Sequence, residues 1–424
     1  MLVIADIKAN KEAIIKGLIK KRLPDAEQRV EEVIKIDQER KITQATMDNV
    51  LAEMNQVSKQ IGLLMKQGKK EEAAQIKEET AKLKLESKEL GDKMSQLQVS
   101  LRDALYNIPN AAHESVPEGN TEDDNEIVFE HGTNPQLPEN AKPHWDLIKQ
   151  YDIIDFELGT KITGAGFPVY KGQGARIQRA LINFFLEQAL EAGYLEIQPP
   201  IVVNQASGYA TGQLPDKEGQ MYHIGEEDFY LIPTAEVPLT NLYRDVILDD
   251  KQLPVKNVGY TPCFRREAGS WGAHVRGLNR LHQFDKVEIV QIHKPENSYA
   301  ALDEMSQYIQ GLLKKLGLKY RVLRLCGGDL GFTSTITYDM EVYSAAQEKW
   351  LEVSSVSNFE SYQANRLKLR YKDESKKTQL LHTLNGSALA LPRILAAILE
   401  NNQTPEGIVV PEVLRPYTGF SLIK

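Results

Sequence analysis

The segment that begins at Glu352 places two oxygen ligands close together in the sequence. Glu352 supplies a carboxylate and Ser355 a hydroxyl three positions later, a pair that suits a hard cation such as Mg²⁺, which keeps several waters and binds substrate phosphates. The alternative interpretation is a strand with one exposed acidic side chain. Zinc is not expected, because Cys263 and Cys326 match no usual spacing of zinc ligands.

Two glycine-rich segments have only a superficial likeness to nucleotide-binding loops. In residues 164–172 the lysine comes before the last glycine and no serine or threonine follows it, so the segment does not match a P-loop. In residues 326–331 the glycines have the wrong spacing for the dinucleotide fingerprint. Both segments are interpreted as turns or as loops near a substrate, so a bound ATP must be held in another way.

Residues 262–288 carry a more specific pattern. Phe-Arg-x-Glu at 264–267 is followed, after a glycine-bearing loop, by Arg-x-x-x-Phe at 280–284. This pattern resembles the second motif of the class II aminoacyl-tRNA synthetases, which is a strand, a loop and a strand. Further blocks resemble the seryl-tRNA synthetase family of bacterial type within that class, at 107–110, 231–238, 352–359, 383–387 and 411–417. The resemblance covers nearly the whole chain.

The resemblance implies an ATP-dependent ligase that forms seryl-adenylate and transfers L-serine to tRNA(Ser), and it leaves the charging of tRNA(Sec) open. Because no covalent enzyme intermediate is required, positioning and charge stabilisation must supply the rate, mainly through arginines. By the resemblance, Arg265 bridges the α-phosphate and the serine carboxylate with its planar fork. Phe284 stacks beneath adenine, and Arg393 lies over the other face of the base and reaches the γ-phosphate.

Two further side chains are implied in ATP binding: Glu267 accepts from the adenine amino group and Arg280 holds the folded-back phosphate tail. The implied catalytic residues are Arg265, Glu352 and Arg393. The implied ATP-binding residues are Arg265, Arg266, Glu267, Arg280, Leu281, Phe284, Glu352, Val353, Ser354, Ser355 and Arg393. Glu352 and Ser355 are the implied Mg²⁺ ligands.

The resemblance also implies an amino-acid pocket in which Glu288 contacts the ammonium and the hydroxyl of serine, while Asn385 and Ser387 close the hydroxyl end. The implied serine-binding residues are Thr234, Ala235, Glu236, Arg265, Glu288, Asn385 and Ser387. Such a pocket rejects alanine by roughly 10⁴-fold, because alanine leaves buried polar groups unpaired. Threonine must be refused by shape, since no separate editing domain is expected.

An amino-terminal helical hairpin is predicted from composition and periodicity. Residues 28–105 contain no proline and are rich in Lys, Glu, Gln and Leu, which favours long helices. Apolar residues recur at coiled-coil spacing in two halves. The seam residues are Met47, Val50, Met54, Val57, Ile61 and Leu64, and then Ile76, Leu83, Leu90 and Leu97 with Thr80, Ser87, Met94 and Leu101 at the alternate position. Gly68 can end the first helix, so an antiparallel coiled-coil arm on the order of 50 Å long is expected.

Five lysines crowd toward the tip of this arm: Lys59, Lys66, Lys69, Lys70 and Lys77. Taken alone they are an ordinary solvated surface, but the resemblance implies that they contact tRNA phosphates, which makes affinity fall steeply with salt. Residues 193–200 resemble the class II first motif, which builds the subunit interface. A homodimer is therefore expected, with the arm of one subunit gripping the long extra arm of the tRNA held by its partner.

The remaining chain is predicted to belong to the α+β class. The strand-like apolar runs are 197–203, 229–232, 287–292 and 320–325, and the clearest helical stretches are 176–192 and 298–316. Strands outnumber helices and turn signals separate neighbouring strands, so a mainly antiparallel sheet with flanking helices is expected. The expected domains are a tRNA-binding hairpin at 1–105, a linker at 106–135 and a class II catalytic domain at 136–424.

Composition limits the class of protein. With 51 basic and 59 acidic residues the net charge is −8, so nucleic acid must meet a local basic patch and not bulk positive charge. The amino terminus lacks a secretory pattern and no apolar run approaches the roughly 18 residues that cross a bilayer. Two cysteines are too few for a disulfide framework and fit a reducing compartment. A soluble cytoplasmic protein that does not contact membranes is expected.

Two alternative functions compete with the ligase. The first is a relative that adenylates an amino acid and passes it to a carrier protein, but such relatives typically lack the long hairpin. The second is a non-catalytic coiled-coil scaffold with a degenerate ligase fold. Retention of Arg265, Glu267, Phe284, Glu352 and Arg393 argues against it. A tRNA-dependent aminoacylation assay with serine, threonine and alanine distinguishes these functions.

Overall fold

The computed structural model of the chain describes residues 1–267 and 276–424. It divides into two compact units. The first consists of Met1–Ile19 and Leu23–Pro109, and the second of Lys20–Arg22 and Asn110–Lys424. Among the described residues, no helix combines the length and the apolar character needed to cross a bilayer.

The amino-terminal unit is built from helices. They are α1 (Ile4–Ala9), α2 (Lys11–Lys20), α3 (Ala26–Lys66) and α4 (Lys70–Tyr106). The predicted antiparallel helix pair is confirmed by α3 and α4, and the 41 residues of α3 give a length of about 60 Å. Gly68 between them has φ +78°, the left-handed conformation that glycine adopts without a steric cost.

The predicted seam is the surface along which α3 and α4 pack. Val50, Val57 and Leu83 are buried in one cluster, with Met54, Ile61, Ile76 and Leu90 packed around them. At the end of the helix pair opposite Gly68, a second cluster contains Ile7, Leu18, Ala26, Val30, Val33, Leu101, Leu105 and Ile108. Because isolated helices are marginal in water, burial of each stripe on the other supplies the stability of the arm.

The second unit is organised by an eight-stranded sheet. In spatial order its strands are β1 (Glu126–His131), β11 (Tyr320–Arg324), β12 (Ile336–Ser344), β13 (Lys349–Asn358), β16 (His382–Ala390), β10 (Gln283–His293), β9 (Val255–Phe264) and β4 (Leu195–Glu196). All neighbouring strands are antiparallel except β4 and β9, which are parallel. The predicted α+β class with a mainly antiparallel sheet is confirmed.

Shorter elements surround this sheet. The helices are α5 (His144–Gln150), α6 (Phe156–Ile162), α7 (Gly172–Glu191), α8 (Gln205–Thr211), α9 (Glu236–Asn241), α10 (Ser298–Lys315), α11 (Ser361–Leu367), α12 (Leu391–Asn401) and α13 (Arg415–Thr418). The small sheets are formed by β2 (Ile154–Asp155) with β3 (Val169–Tyr170); β5 (Val202–Asn204), β6 (His223–Ile224) and β7 (Phe229–Leu231); β8 (Ile247–Leu248), β14 (Arg370–Lys372) and β15 (Thr378–Leu380); and β17 (Gln403–Thr404), β18 (Gly407–Val409) and β19 (Leu422–Ile423). Short 3₁₀ helices occupy Glu122–Asp124, Asp250–Gln252, Pro295–Asn297 and Glu412–Leu414.

Two details differ from the sequence-based expectation. The prediction of one strand over 197–203 was wrong, because Pro199 and Pro200 have no N–H to donate to a ladder, and the chain instead forms β4 before them and β5 after them. The segment expected as a linker, 106–135, contains β1, which pairs with β11 at the edge of the large sheet.

The large sheet separates a hydrophobic core from a cavity. Along β10, Val287 and Ile289 are fully buried in the main core. Phe284, Lys286 and Glu288 line a cavity instead. Successive side chains of a strand point to opposite faces, so one face of the sheet holds the protein together while the other presents polar groups.

Candidate active site

A cavity of about 740 Å³ lies in the second unit and is lined by residues of β10, β12, β13 and β16. The predicted ATP-binding and serine-binding residues that line it are Thr234, Glu236, Arg265, Glu267, Arg280, Leu281, Phe284, Glu288, Glu352, Val353, Ser354, Ser355, Asn385, Ser387 and Arg393. Residues distant in sequence are thus brought to one site.

Two of the predicted ATP-binding and serine-binding residues do not line this cavity. Ala235 is buried in a small apolar cluster with Leu239 and Val290. Arg266 has an exposed side chain, and its backbone N–H donates to the carbonyl of Gln220 at 2.9 Å. The loop residues 268–275 of the predicted second motif lie outside the described residues.

Arg265 and Phe284 meet at the junction of β9 and β10. The guanidinium carbon of Arg265 lies 5.3 Å from the centroid of the Phe284 ring, within the range of a cation–π contact. Strand pairing produces this proximity, since Phe284 is opposite Cys263 and the backbone N–H of Arg265 donates to the carbonyl of His282 at 3.0 Å. A cationic fork therefore stands beside an aromatic face.

Glu267, which follows β9, and Arg280, which precedes β10, form an ion pair. Nη1 of Arg280 lies 2.8 Å from Oε2 of Glu267, whose side chain is only 14% exposed. Glu267 also has φ +47°, a conformation that is uncommon for a side chain with a Cβ and that is concentrated at functional sites. The pair sets the position of a carboxylate at the rim of the cavity.

Arg393 is held against β13 by Glu352. Nη1 of Arg393 donates to the backbone carbonyl of Glu352 at 2.8 Å and lies 3.6 Å from its Oε2, while Nε donates to the carbonyl of Asn279 at 3.1 Å. The side chain of Glu352 remains 50% exposed. Part of this carboxylate is therefore accessible from the cavity.

Acidic groups cluster near Glu352. Ser355 Oγ donates to Glu352 Oε1 at 3.5 Å, and Asp339 lies opposite Ser355 in the β12–β13 ladder. Burial, together with the nearby charge of Glu352, raises the pKa of Asp339 well above its usual range. Burial likewise raises the pKa of Glu341, although its hydrogen bond to Arg321 opposes the shift.

The donor set at Glu352 and Ser355 fits a magnesium ion better than a metal that needs a complete protein cage. Within residues 1–267 and 276–424, no group of three or more His, Cys, Asp or Glu side chains is arranged to hold a metal ion. A cation here would need water and substrate oxygens in addition to the two protein oxygens. Mg²⁺ is commonly bound in this way.

A second group of buried polar side chains forms the inner end of the cavity. Glu288 is 2% exposed, and its Oε2 lies 2.6 Å from Nζ of Lys286 and accepts the Thr234 hydroxyl at 3.4 Å. Ser387 lies opposite Glu288 in the β10–β16 ladder. The inner end is thus a small polar pocket with one strongly paired carboxylate.

Glu236 is the second carboxylate of this pocket. Burial raises its pKa to about 7, and the charge of Glu288 adds to the shift, while hydrogen bonds from Gln363 and Asn385 oppose it. Gln363 donates to Glu236 Oε1 at 2.7 Å. Glu236 is therefore protonated more readily than an exposed glutamate.

The sequence-based prediction missed Lys286, which lines the cavity, and Gln363, which holds Glu236 from behind. Lys286 shares its strand face with Phe284 and Glu288, so alternation along β10 was a usable signal. Gln363 is 127 residues from Glu236, and no local pattern indicates their contact.

The Asn-Ile-Pro-Asn block supports the cavity wall. Nδ2 of Asn110 donates to the carbonyls of Thr333 and Phe359 at 3.0 and 2.9 Å, and its backbone N–H donates to the carbonyl of Phe332 at 3.0 Å. These three acceptors belong to residues that line the cavity. Asn110 thus fixes the backbone of two wall segments.

The five lysines predicted to bind tRNA belong to the amino-terminal unit and do not line this cavity. All five are exposed, and Nζ of Lys69 lies 3.2 Å from Oε1 of Glu72. Lys66, Lys69 and Lys70 lie at the turn that contains Gly68, while Lys59 and Lys77 extend the basic surface along α3 and α4. Together they form a cationic tip on the helix pair.

Comparison with known proteins identifies both units. A family model for the seryl-tRNA synthetase N-terminal domain matches residues 1–112, and one for the tRNA synthetase class II core domain (G, H, P, S and T) matches residues 221–402. A protein of Salinibacter ruber named serine–tRNA ligase is 50% identical over 396 residues, which are 93% of this chain and 92% of that protein.

Solved structures agree with these matches. The crystal structure of seryl-tRNA synthetase from Pyrococcus horikoshii complexed with ATP has a TM-score of 0.93 and 32% identity, and covers 100% of this chain and 99% of that one. Cytoplasmic serine-tRNA ligase from Naegleria fowleri in complex with AMP has a TM-score of 0.88 and 28% identity, with the same coverage. The chain therefore belongs to the seryl-tRNA synthetase family of class II aminoacyl-tRNA synthetases.

Proposed function

We propose that this protein activates L-serine with ATP to form seryl-adenylate and then transfers serine to tRNA(Ser). One observation carries the proposal: the Arg265–Phe284 contact and the buried Glu236–Glu288 pocket line a single cavity. A nucleotide and a small amino acid can therefore be bound side by side. Family membership supports the same reaction.

Arg265 is suited to join the two substrates. Its guanidinium lies over Phe284, and its Nε donates to the carbonyl of Pro233 at 3.4 Å, directly before Thr234 of the serine pocket. The planar fork can bind a phosphate oxygen and a carboxylate oxygen together. We assign it the role of bringing the serine carboxylate to the α-phosphorus and of stabilising charge on the phosphate oxygens.

The activation step needs no proton transfer at the nucleophile. A serine carboxylate oxygen forms the bond to the α-phosphorus while the bond to the bridging oxygen of pyrophosphate breaks, and pyrophosphate leaves as an anion. We assign Arg280 and Arg393 to neutralise the departing phosphates. For Arg280 this requires release of Glu267, whose carboxylate then becomes available to the adenine amino group.

Glu352 and Ser355 are assigned as the residues that hold Mg²⁺ when ATP is present, on the strength of their oxygen donors and of the exposed half of the Glu352 side chain. The ion would neutralise phosphate charge. Arg393 shares Glu352 with this site, so one side chain would orient both the cation and the arginine.

The polar pocket accounts for the choice of amino acid. Glu236 and Glu288 offer carboxylates for the ammonium group, and Lys286 limits the net negative charge that surrounds it. Asn385 and Ser387 are assigned to the serine hydroxyl. A side chain without a hydroxyl would leave these buried groups unpaired, which disfavours alanine.

The helix pair is assigned to tRNA. Its exposed lysines provide the local positive charge that a protein of net charge −8 needs in order to bind a polyanion. The proposed acceptor is tRNA(Ser), and tRNA(Sec) is included as a second acceptor to be assayed. This function implies a cytoplasmic location, where tRNA is charged for protein synthesis.

A homodimer is proposed from the edge of the large sheet. The edge strand β4 exposes 62% of Leu195, and Leu190 and Leu242 are 46% and 49% exposed. Beside them lies a pocket lined in part by Gly193 and Val255. We propose that a second copy of the chain covers this apolar edge, which would otherwise favour non-specific association.

Serine-dependent exchange of pyrophosphate into ATP, followed by aminoacylation of purified tRNA, tests the proposed function. We expect exchange with serine, much less with threonine and alanine, and charging of tRNA(Ser). Exchange that does not depend on an amino acid, or that prefers threonine, would refute it. Transfer of serine to a carrier-protein thiol in place of tRNA would support the adenylating alternative.

A further inference from the structure

A buried histidine–glutamate pair lies behind the wall of the cavity. His144 of α5 and Glu400 of α12 are both 0% exposed, and Nδ1 of His144 lies 2.7 Å from Oε1 of Glu400. The same oxygen accepts the backbone N–H of His144 and a side-chain N–H of Gln347, each at 2.8 Å. The other carboxylate oxygen accepts the hydroxyl of Ser344. These bonds fix the imidazole ring in one orientation.

The other ring nitrogen of His144 holds the backbone that leads to Arg280. The N–H of Leu278 donates to Nε2 of His144 at 2.8 Å. Nε2 therefore carries no proton, and the ring proton lies on Nδ1, where it is donated to Glu400. At Gly277, with φ +66°, a Cβ would lie only 2.3 Å from Nε2. Only glycine permits this close approach.

The same backbone segment holds Arg393. The carbonyl of Asn279 accepts Nε of Arg393 at 3.1 Å, and Nδ2 of Asn279 donates to Oε1 of Gln347 at 3.1 Å. Gln347 itself contacts Glu400, which is on α12 together with Arg393. The hydrogen bonds thus run from Arg393 through Asn279 and Gln347 to Glu400, and so begin and end on α12.

We propose that His144 is a positioning residue for the nucleotide. It fixes the backbone at Leu278 and Asn279, and through them the orientation of Arg393 and the turn before β10 that carries Arg280. The inference rests on the proposed function for the identity of the nucleotide. His144 does not line the cavity, so it acts on ATP only through these neighbours.

Two substitutions separate the bonds that His144 makes. His144→Gln places an amide oxygen near the position of Nε2, where it can still accept the Leu278 N–H. His144→Asn keeps a donor for Glu400 but loses the acceptor for Leu278. The matched control is His293→Asn, since His293 is another buried histidine, with Nε2 2.6 Å from Oε1 of Gln291, and does not line the cavity.

The kinetic readout is pyrophosphate exchange with ATP and serine varied separately. We expect His144→Asn to raise the KM for ATP about tenfold, because the buried N–H of Leu278 loses its hydrogen-bond acceptor. The KM for serine should change less than about twofold. His144→Gln should restore the KM for ATP to within about twofold of the wild type. The control should lower thermal stability without changing the KM for ATP.

Hydrogen–deuterium exchange over residues 276–284 provides a readout that does not require activity. We expect faster exchange in ligand-free His144→Asn than in the wild type or His144→Gln. If His144→Asn does not fold, Gly277→Ala is the second variant, because its methyl group must displace the segment from Nε2, and it should raise the KM for ATP in the same selective way.

The inference and the proposed function fail in distinguishable ways. A wild type without serine-dependent exchange would refute the function, while amide exchange and calorimetric ATP binding would still test His144. Equal rises in the KM for ATP and for serine in His144→Asn would overturn the positioning role. The positioning role would also be overturned if, in His144→Asn, the KM for ATP and the amide hydrogen exchange of residues 276–284 both stay at wild-type values.

Discussion

Nζ of Lys286 lies 2.6 Å from Oε2 of Glu288, and the two side chains are only 7% and 2% exposed. Lys286 and Glu288 are two positions apart on β10, so their side chains point to the same face of the sheet. One strand therefore supplies both a buried charge and its counter-charge. Removal of either group leaves the other buried without its counter-charge. The pair is therefore both a structural feature and part of the pocket floor.

Lys286→Met should destabilise the protein, and it should weaken serine binding because the Glu288 carboxylate loses the ammonium group that fixes its orientation in the pocket. Removal of one partner of a buried ion pair costs about 3 kcal/mol or more, because the remaining charge stays buried without compensation. The urea midpoint and the KM for serine in pyrophosphate exchange measure the two effects. In the control, Lys256→Met removes a pair with Glu304, whose side chain is 56% exposed, and should cost less than about 1 kcal/mol. Equal losses of stability in Lys286→Met and Lys256→Met would contradict this prediction.

Serine binding should depend on pH through Glu236. Burial raises the pKa of this carboxyl to about 7, so the ionised form that attracts the serine ammonium becomes more populated as the pH rises from 6 to 8. The apparent affinity for serine should increase across that range and level off above it. Calorimetry with serine measures this directly, and Glu236→Gln should give a flatter profile.

The same pKa shift has the opposite effect on folding. The folded state keeps a proton on Glu236 that the unfolded chain has lost, so this group's contribution to stability is present below the usual pKa of 4.5 and declines as the pH rises through about 7. The free energy of unfolding of the wild type, relative to that of Glu236→Gln, should therefore fall as the pH rises. An unchanged difference between pH 5 and 8 would contradict the assignment.

The tip lysines should control tRNA affinity and not adenylate formation. Changing Lys66, Lys69 and Lys70 to Gln should raise the KM for tRNA. It should also reduce the slope of log affinity against log salt by roughly 0.7 to 0.9 for each phosphate that the protein no longer neutralises. Pyrophosphate exchange should be unchanged. Filter binding over a KCl series measures the slope.

A control triple variant preserves the change in total charge. Lys372, Lys376 and Lys377 are exposed in the second unit, and their replacement by Gln should leave the salt slope near the wild-type value. If both triple variants lower the slope equally, net charge and not the tip accounts for the effect.

Local periodicity predicted some features of this molecule well, and its limits have physical causes. The seam of α3 and α4 was predictable because each stripe repeats within one continuous helix. Gln363 was not, because Glu236 belongs to α9 and Gln363 to α11, and only tertiary packing brings these two helices together. Arg266 is adjacent to Arg265 in the sequence but does not share its place in the cavity, since adjacent residues of an extended chain point in different directions.

Glu352→Gln should change the requirement for magnesium more than the affinity for serine. The amide keeps an oxygen but loses the charge, so a hard cation is bound less tightly, while the backbone carbonyl of residue 352 still accepts Nη1 of Arg393. We expect the Mg²⁺ concentration for half-maximal exchange to rise about tenfold, and the KM for serine to change less than about twofold. Electron paramagnetic resonance of Mn²⁺ in the presence of a non-hydrolysable ATP analogue measures cation binding directly.

The control is Glu341→Gln, because Glu341 lines the same cavity but is engaged by Arg321. Equal weakening of Mn²⁺ binding in both variants would show that the total negative charge of the cluster matters, and would remove the specific role of Glu352.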